Sequence, residues 1–256
     1  MFNAVDFWKV FRMALAAGLT AFLLINISRR LNQPVDNITI VISKLEDGKE
    51  LIDEKEIRDL LKFELGYALE IAALKELKIE QLEMSLIKNS RIDDADIYLD
   101  KNGILVISVA QKKPIVRIDQ TNADDYYLDY KGTQIPVTET FRVPVVTGHV
   151  DGYQEAYKEK EDNNLNAVLE LARKVHDDIF LSALVEQIHI DSKDELTIVP
   201  KVGRDKILIG EVEDLDEKIY KLKIYYEKGI KNIGLEKFDE LDLKYKGQII
   251  GRQKDT

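Results

Sequence analysis

The longest apolar run in the chain lies beside its start. Met13 to Ile27, MALAAGLTAFLLINI, contains no charged residue. At ~1.5 Å of rise per residue that run alone is short of a ~30 Å hydrocarbon core. Val10 and Phe11 lengthen it, Lys9 and Arg12 can snorkel, and Phe7, Trp8 and Phe11 are aromatics of the kind found at headgroup level. Read from Trp8 to Ile27, the stretch is long enough to cross. Trp8, Phe11, Met13, Leu15, Gly18, Phe22, Leu24 and Ile27 are therefore assigned to a transmembrane helix. A core helix of a soluble protein would show a polar face, and this one shows none over four turns. A cleaved signal peptide would need a small-x-small site, and none precedes Arg29-Arg30. Lys9 and Arg12 on one side tie with Arg29 and Arg30 on the other, so charge counting leaves the orientation open.

Beyond the span the periodicity changes. Asn32-Gln33-Pro34 ends the membrane helix. Ile38–Ser43 reads as a strand, bounded by Pro34 and by an Asp47-Gly48 turn. Asp53 with Glu56 three residues later resembles a capping box, and Ile57, Leu60, Leu61 and Glu64 follow at helical spacing until Gly66. Tyr67–Leu77 fits no single period. Leu82, Leu86 and Ile87 form the stripe of a second helix, with Glu80, Glu83 and Lys88 on its wet side. Ile92–Leu99 and Ile104–Val109 alternate as strands around the turn Asp100-Lys101-Asn102-Gly103. The order strand, helix, helix, strand, strand predicts a small α+β layer, a three-stranded sheet with two helices on one face.

The second half predicts a larger body. Tyr126–Asp129 is a strand entering a turn at Tyr130-Lys131-Gly132. The charged stretch Asp151–Asn164 reads as a solvated loop. A helix is expected from about Asn164 to Asp178, with Leu165, Val168, Leu169, Ala172 and Val175 inward. Strands follow at Val185–Asp191, Glu195–Val199 and Lys206–Ile209, the last two separated by Val202-Gly203-Arg204-Asp205. Asp214–Lys228 is a second long helix, with Gly229 at the capping position. Phe238–Tyr245 is a terminal strand in which Leu241, Leu243 and Tyr245 alternate with outward Asp242 and Lys244. The fold class is α+β: one transmembrane helix, a β-α-α-β-β domain, then a β-rich domain with an antiparallel sheet and two helices.

Composition bounds the chemistry. The chain has 256 residues, a net charge of −10 and no cysteine. That length allows two soluble domains of about 100 residues after the span. The negative charge argues against nucleic acid and against a body lying on anionic lipid. Disulfides and thiolate chemistry are excluded. His149, His176 and His189 lack the spacing of a helical zinc site, and Asp93-Asp94-Ala95-Asp96 lacks the glycine and terminal glutamate of a calcium loop. Gly203 and Gly210 are isolated, and no nucleophile elbow occurs. The expectation is a protein without catalytic residues, cofactor, metal or small-molecule substrate.

A chemically quiet body can still offer surface. Sheet edges carry unpaired N–H and C=O groups. After the terminal strand the chain reads Tyr245-Lys246-Gly247-Gln248-Ile249-Ile250, apolar at its end and free of acid. A partner strand added there would satisfy backbone and side chains together, and these six residues are the candidate partner-binding segment. The alternative is that Ile249 and Ile250 pack on the protein's own core. Ala14 with Gly18, and Ala17 with Ala21, would permit close packing of a second membrane helix.

Leu82-Glu83, Leu86, Asn89, Ile92, Ala95 and Ile97, followed by Gly103-Ile104-Leu105-Val106-Ile107-Ser108-Val109-Ala110-Gln111-Lys112-Lys113-Pro114-Ile115-Val116-Arg117-Ile118, resemble the POTRA domain of the FtsQ/DivIB family of bitopic bacterial cell-division proteins. Gln134-Ile135-Pro136, Arg142–Gly148 and Phe238–Tyr245 continue the likeness, which is weak between 149 and 235. Ser90 stands where that family usually has the proline that ends a helix. The resemblance implies a cytoplasmic tail and span over 1–31, a POTRA domain over 36–118 and an FtsQ-type β domain over 119–256. It implies an inner-membrane, single-pass protein with a periplasmic body. Its task in the cell cycle would be to recruit and hold FtsB/DivIC-like and FtsL-like proteins at the septum, as a divisome scaffold. Two other readings stay open, a POTRA-containing assembly or secretion adaptor and a membrane-anchored wall hydrolase.

Overall fold

A computed structural model of the chain describes residues 4–31, 34–35, 37–45, 48–120, 123–160, 162–203, 206–234 and 237–253. Asn32, Gln33, Asp47, Arg204 and Asp205, read above as helix end, turn and loop, lie outside the described residues, as do the side chains of Phe7, Lys9, Val10, Arg29 and Arg30. The chain divides into two compact units, Met1–Gln111 and Lys112–Thr256.

The first unit begins with helix α1 (Ala4–Leu31), within which Phe11–Ser28 is long and apolar enough to cross a membrane. The side chains of Trp8, Phe11, Met13, Leu15, Phe22, Leu24 and Ile27 all lie exposed, and Gly18 has nothing within 4 Å of where a Cβ would stand. Two of its polar side chains bond within the helix. Thr20 Oγ1 donates to the Ala17 carbonyl at 2.9 Å and Asn26 Nδ2 to that of Phe22 at 2.8 Å. A helix in hydrocarbon needs this, since no water is there to accept those bonds.

Strand β1 (Ile38–Ile42), helix α2 (Glu54–Leu65), 3-10 turns at Leu69–Ile71 and Leu74–Glu76, helix α3 (Ile79–Ile87), and strands β2 (Ile92–Leu99) and β3 (Leu105–Gln111) follow. The sheet runs β1-β3-β2, with β1 parallel and β2 antiparallel to β3. Ile40, Ile107 and Ile97 share one row, against which Ile57, Leu61, Leu82 and Leu86 are buried. The capping box is formed, because the Asp53 carboxylate accepts from Glu56 N–H and Glu56 from Asp53 N–H. Gly66 ends α2 at φ 80°, a conformation glycine adopts without steric cost. Ile87 departs from the predicted stripe and is exposed, one step of about 100° round the helix from Leu86. Gln111 closes the unit: its buried Oε1 accepts from the N–H groups of Leu51 and Ile52, and its Nε2 donates to the Ser43 carbonyl.

The second unit holds strands β4 (Pro114–Ile118), β5 (Tyr126–Asp129), β6 (Gln134–Pro136) and β7 (Val145–Gly148), helices α4 (Leu165–Asp177) and α5 (Ile179–Leu184), strands β8 (Val185–Ile190), β9 (Leu196–Pro200) and β10 (Lys206–Gly210), helix α6 (Leu215–Ile224), and strands β11 (Glu240–Asp242) and β12 (Ile250–Arg252). All nine strands form one sheet in the order β12-β11-β10-β9-β8-β7-β4-β5-β6. Pro114–Ile118 pairs in this sheet, so the division falls a few residues before the expected boundary after Ile118.

The sheet is mixed, not antiparallel as expected. β4 and β7, β7 and β8, and β10 and β11 are parallel pairs. A parallel neighbour needs a crossover, and helices supply two of them, α4 with α5 between β7 and β8, and α6 between β10 and β11. The described helices therefore number more than the two predicted. Gly229 does not cap the second long helix. It lies inside a π turn, Tyr225–Gly229, at φ −69°, and the chain stays helical to Ile233 before Gly234 at φ 90°. Ile230 extends the apolar series Leu222, Tyr226 by one more turn against the core, which explains the continuation. The stretch 151–164 is more than a solvated loop. Tyr157 is fully buried in it and donates to the Gly132 carbonyl at 3.1 Å, while Asn164 and Asp151 exchange bonds at 2.9 Å.

Candidate functional site

The segment singled out as a partner surface follows β11, and its local sequence decides its shape. Strand β11 lies parallel to β10, with Ile207 opposite Leu241 and Leu208 opposite Asp242. Leu241 and Leu243 are buried as their period demands. Asp242, expected outward, is fully buried as well. A buried carboxylate needs hydrogen-bond donors, and β12 brings one. β12 pairs antiparallel to β11, placing Arg252 opposite Glu240 and Ile250 opposite Asp242. The guanidinium forks, with Nη1 on Glu240 Oε1 and Nη2 on Asp242 Oδ2, each at 2.9 Å. Asp242 Oδ1 accepts from Lys244 N–H at 3.0 Å.

The chain between these strands is pinned onto α6 and does not extend. Lys221 Nζ donates to the carbonyls of Leu243 at 3.1 Å and Tyr245 at 2.5 Å. Glu217 Oε1 accepts from Gly247 N–H at 2.9 Å, at a turn where Gly247 has φ 70°. Lys244 pairs with Glu195 at 3.0 Å and Lys246 with Asp214 at 2.9 Å. The predicted six residues therefore divide. Tyr245, Lys246, Gly247 and Gln248 form a bent loop beside a groove of about 310 Å³, whose walls include Glu195, Asp214, Glu217 and Lys218. Ile249 is half-buried against the core, and Ile250 begins β12. Tyr245 keeps its ring exposed.

The groove is lined by charges of both signs, several of them paired. Hydrogen bonding to Lys246 holds the Asp214 carboxyl below its ordinary range, and the Lys246 ammonium is raised in return. Glu195 raises Lys244 in the same way. Lys218 moves in the other direction because burial disfavours its charge, and its Nζ donates to the Glu211 carbonyl at 2.6 Å. Among the described residues no group of histidine and carboxylate side chains could hold a metal. His176 lies on Asp177 at 3.0 Å and His189 on Thr147 at 3.1 Å, each in a separate place.

What this corner does offer is a sheet edge. β12 ends the nine-stranded sheet, and among the described residues no strand lies on its outer side. It is held close to the body: a Cβ on Gly251 would meet the Phe238 ring at 2.7 Å. Pattern reading passed over β12 because it has only three residues and contains a glycine. The usable signal was Arg252, a cation able to reach back across a hairpin to an acid between two leucines.

A family model described as FtsQ/DivIB, C-terminal related, matches residues 113–252. The match opens one residue before β4 and closes on the last residue of β12, so it covers the strands of the larger sheet. No curated protein matches the chain.

Proposed function

The chain belongs to the FtsQ/DivIB, C-terminal related family, whose membership points to cell division, and from that premise we propose that it is a membrane-tethered divisome scaffold. In this reading α1 is a single span of the bacterial inner membrane. The rest of the first unit and the whole second unit lie on the periplasmic side, and the β-α-α-β-β part of the first unit is a POTRA domain. The protein works without chemistry of its own. It recruits FtsB/DivIC-like and FtsL-like membrane proteins and holds them at the septum by non-covalent contacts.

One observation supports the partner surface most directly. The family match runs to Arg252, so the shared region ends on a strand whose outer side has no neighbouring strand among the described residues. A partner strand laid along β12 would pair with the N–H and C=O groups of that edge, and the exposed Tyr245 ring of the loop before it offers an aromatic surface. Compared with the segment expected from sequence, the docking strand moves from 245–250 towards 250–252.

The test uses the full-length protein in cells. Tyr245→Ala combined with Ile250→Lys is expected to abolish capture of FtsB-type and FtsL-type proteins and to disperse septal signal, at unchanged membrane abundance. Retained capture and septal signal would remove the β12 edge from consideration. Depletion of the protein is expected to give filamentous cells. Normal division after depletion, or co-purification with an outer-membrane barrel instead, would overturn the division reading itself.

A further inference from the structure

The end of α2 and the two 3-10 turns after it carry apolar side chains that the first unit leaves uncovered. Phe63 is 89% exposed and Ile71 68%. One exposed apolar residue is ordinary on a protein surface. Here three further observations coincide with the pair.

The first is position. Pro34 forms a bridge with Ala73, and Val35 N–H donates to the Ala72 carbonyl at 3.1 Å. Pro34 stands three residues past the end of α1, and at no more than ~3.6 Å per residue it lies within about 11 Å of that end. The 3-10 turns are therefore held beside the exit of the apolar helix, and Ile71 directly precedes Ala72. α2 is joined to the same segment by Arg58, which pairs with Glu70 at 2.6 Å.

The second is charge. The chain carries a net charge of −10, yet from residue 62 to 78 Lys62, Lys75 and Lys78 balance Glu64, Glu70 and Glu76. This stretch lacks the acidic excess that anionic headgroups would repel. The third is residue type. Phe63 directly follows Lys62, and Lys75 stands four residues after Ile71; an aromatic and a branched aliphatic side chain with lysines near them suit an interfacial anchor, with the apolar tips in the headgroup layer and the ammonium groups at the phosphates.

We propose that this face of the first unit rests on the bilayer next to the span, with Phe63 and Ile71 inserted among the lipid headgroups. The contact restrains the body relative to the membrane. The inference rests on the reading of α1 as a membrane span, and the experiment separates the two.

The chain has no cysteine, so single-cysteine variants of the full-length protein can each carry one environment-sensitive dye. Leu19→Cys, Phe63→Cys, Ile71→Cys and, as a solvent control, Lys101→Cys are reconstituted in phosphatidylcholine vesicles, with and without phosphatidylglycerol. Quenchers are placed at shallow and deep positions on the lipid. The dye at 19 is expected to respond to the deep quencher. Dyes at 63 and 71 are expected to be blue-shifted and quenched several-fold more than that at 101, by the shallow quencher. If the dye at 19 is deep while those at 63 and 71 match the dye at 101, the inference falls and the span stands. If the dye at 19 avoids the bilayer, both fall. Shielding at 63 and 71 that requires a second protein, and not lipid, assigns the face to a protein partner and overturns the proposal.

Discussion

Arg252 places Nη2 at 2.9 Å from Oδ2 of Asp242, a carboxylate with no solvent exposure of its own. This contact, with the second arm on Glu240, fastens the last strand of the sheet to its neighbour. Removing the arginine strands a buried charge. A fully enclosed pair broken on one side costs about 3–5 kcal/mol. The Arg252 side chain is half-exposed, so water can partly replace it, and Arg252→Ala is expected to cost ~1–3 kcal/mol. Denaturant unfolding measures the loss, and hydrogen exchange should locate it at 240–242 and 250–252. Lys246→Ala breaks an ion pair of similar length to Asp214, but both partners there are exposed, so unfolding should not register it. Equal effects from the two variants would show that burial of Asp242 does not govern this corner.

Asp178 performs two tasks at once. Its carboxylate accepts from Leu181 N–H to cap α5, and it pairs with Lys223. The hydrogen bond from Lys223 holds the carboxyl below the ordinary carboxylate range. A lowered folded-state value means that the stabilisation is present above the unfolded-state pKa of about 4 and disappears as pH falls through the folded value. Unfolding midpoints of the wild type should therefore drop as pH is lowered below about 4, more steeply than those of Asp178→Asn. The variant should be weaker near neutrality, where the charge pair is lost. Parallel pH profiles would exclude Asp178 as a source of acid sensitivity.

Elements governed by local rules were legible in the sequence. The capping box at Asp53, the stop at Gly66, the turn at Gly103 and the stripe of α4 depend on neighbours within a few residues, and each has its own sequence mark. What depended on distant chain was not legible. The burial of Asp242 requires Arg252 from another strand, and the fold of 243–247 requires Lys221 and Glu217 from α6. Alternation alone therefore assigned Asp242 to the wrong side. It also extended the terminal strand to Tyr245, where the Lys221 ammonium takes the carbonyls of Leu243 and Tyr245. The parallel pairs escaped for the same reason, since strand direction is set by where a crossover helix lands, not by period.

Tyr157 makes the second unit sensitive to alkali. Its ring is buried beside Tyr153, and its hydroxyl donates to the Gly132 carbonyl. Burial pushes its ionisation up to about 12, and burial also raises Tyr126. A raised folded-state value gives stability that is whole below the unfolded pKa of about 10 and is lost as pH rises towards the folded one. Tyr157→Phe is expected to cost ~0.5–1.5 kcal/mol at neutral pH through the missing hydrogen bond. It should also flatten, without abolishing, the fall in stability above pH ~10, because Tyr126 remains. Absorbance of tyrosinate followed alongside unfolding checks both halves. A steeper alkaline limb in the variant would contradict the buried-phenol account.

Two glycines separate conformational strain from collision. Gly66 and Gly132 have nearly the same positive φ, 80° and 77°. Around Gly66 nothing lies within 4 Å of an added Cβ, whereas at Gly132 that atom would stand 2.2 Å from Tyr157 Oη and 2.6 Å from Leu169 Cδ2. Gly66→Ala therefore carries only the left-handed penalty, ~1–2 kcal/mol. Gly132→Ala adds a clash with two buried side chains, and overpacking of that kind costs a further ~1–3 kcal/mol. It also displaces the hydroxyl that bonds the Gly132 carbonyl, so loss of the Tyr157 bond should accompany it. Hydrogen exchange within each unit measures the two costs separately. The exchange-derived loss should be clearly larger for Gly132→Ala, and adding Tyr157→Phe to it should recover part of the difference by removing the atom that the methyl group strikes. Equal losses at the two positions would mean that the turn at 130–132 yields to accommodate the methyl and that Tyr157 does not hold it in place.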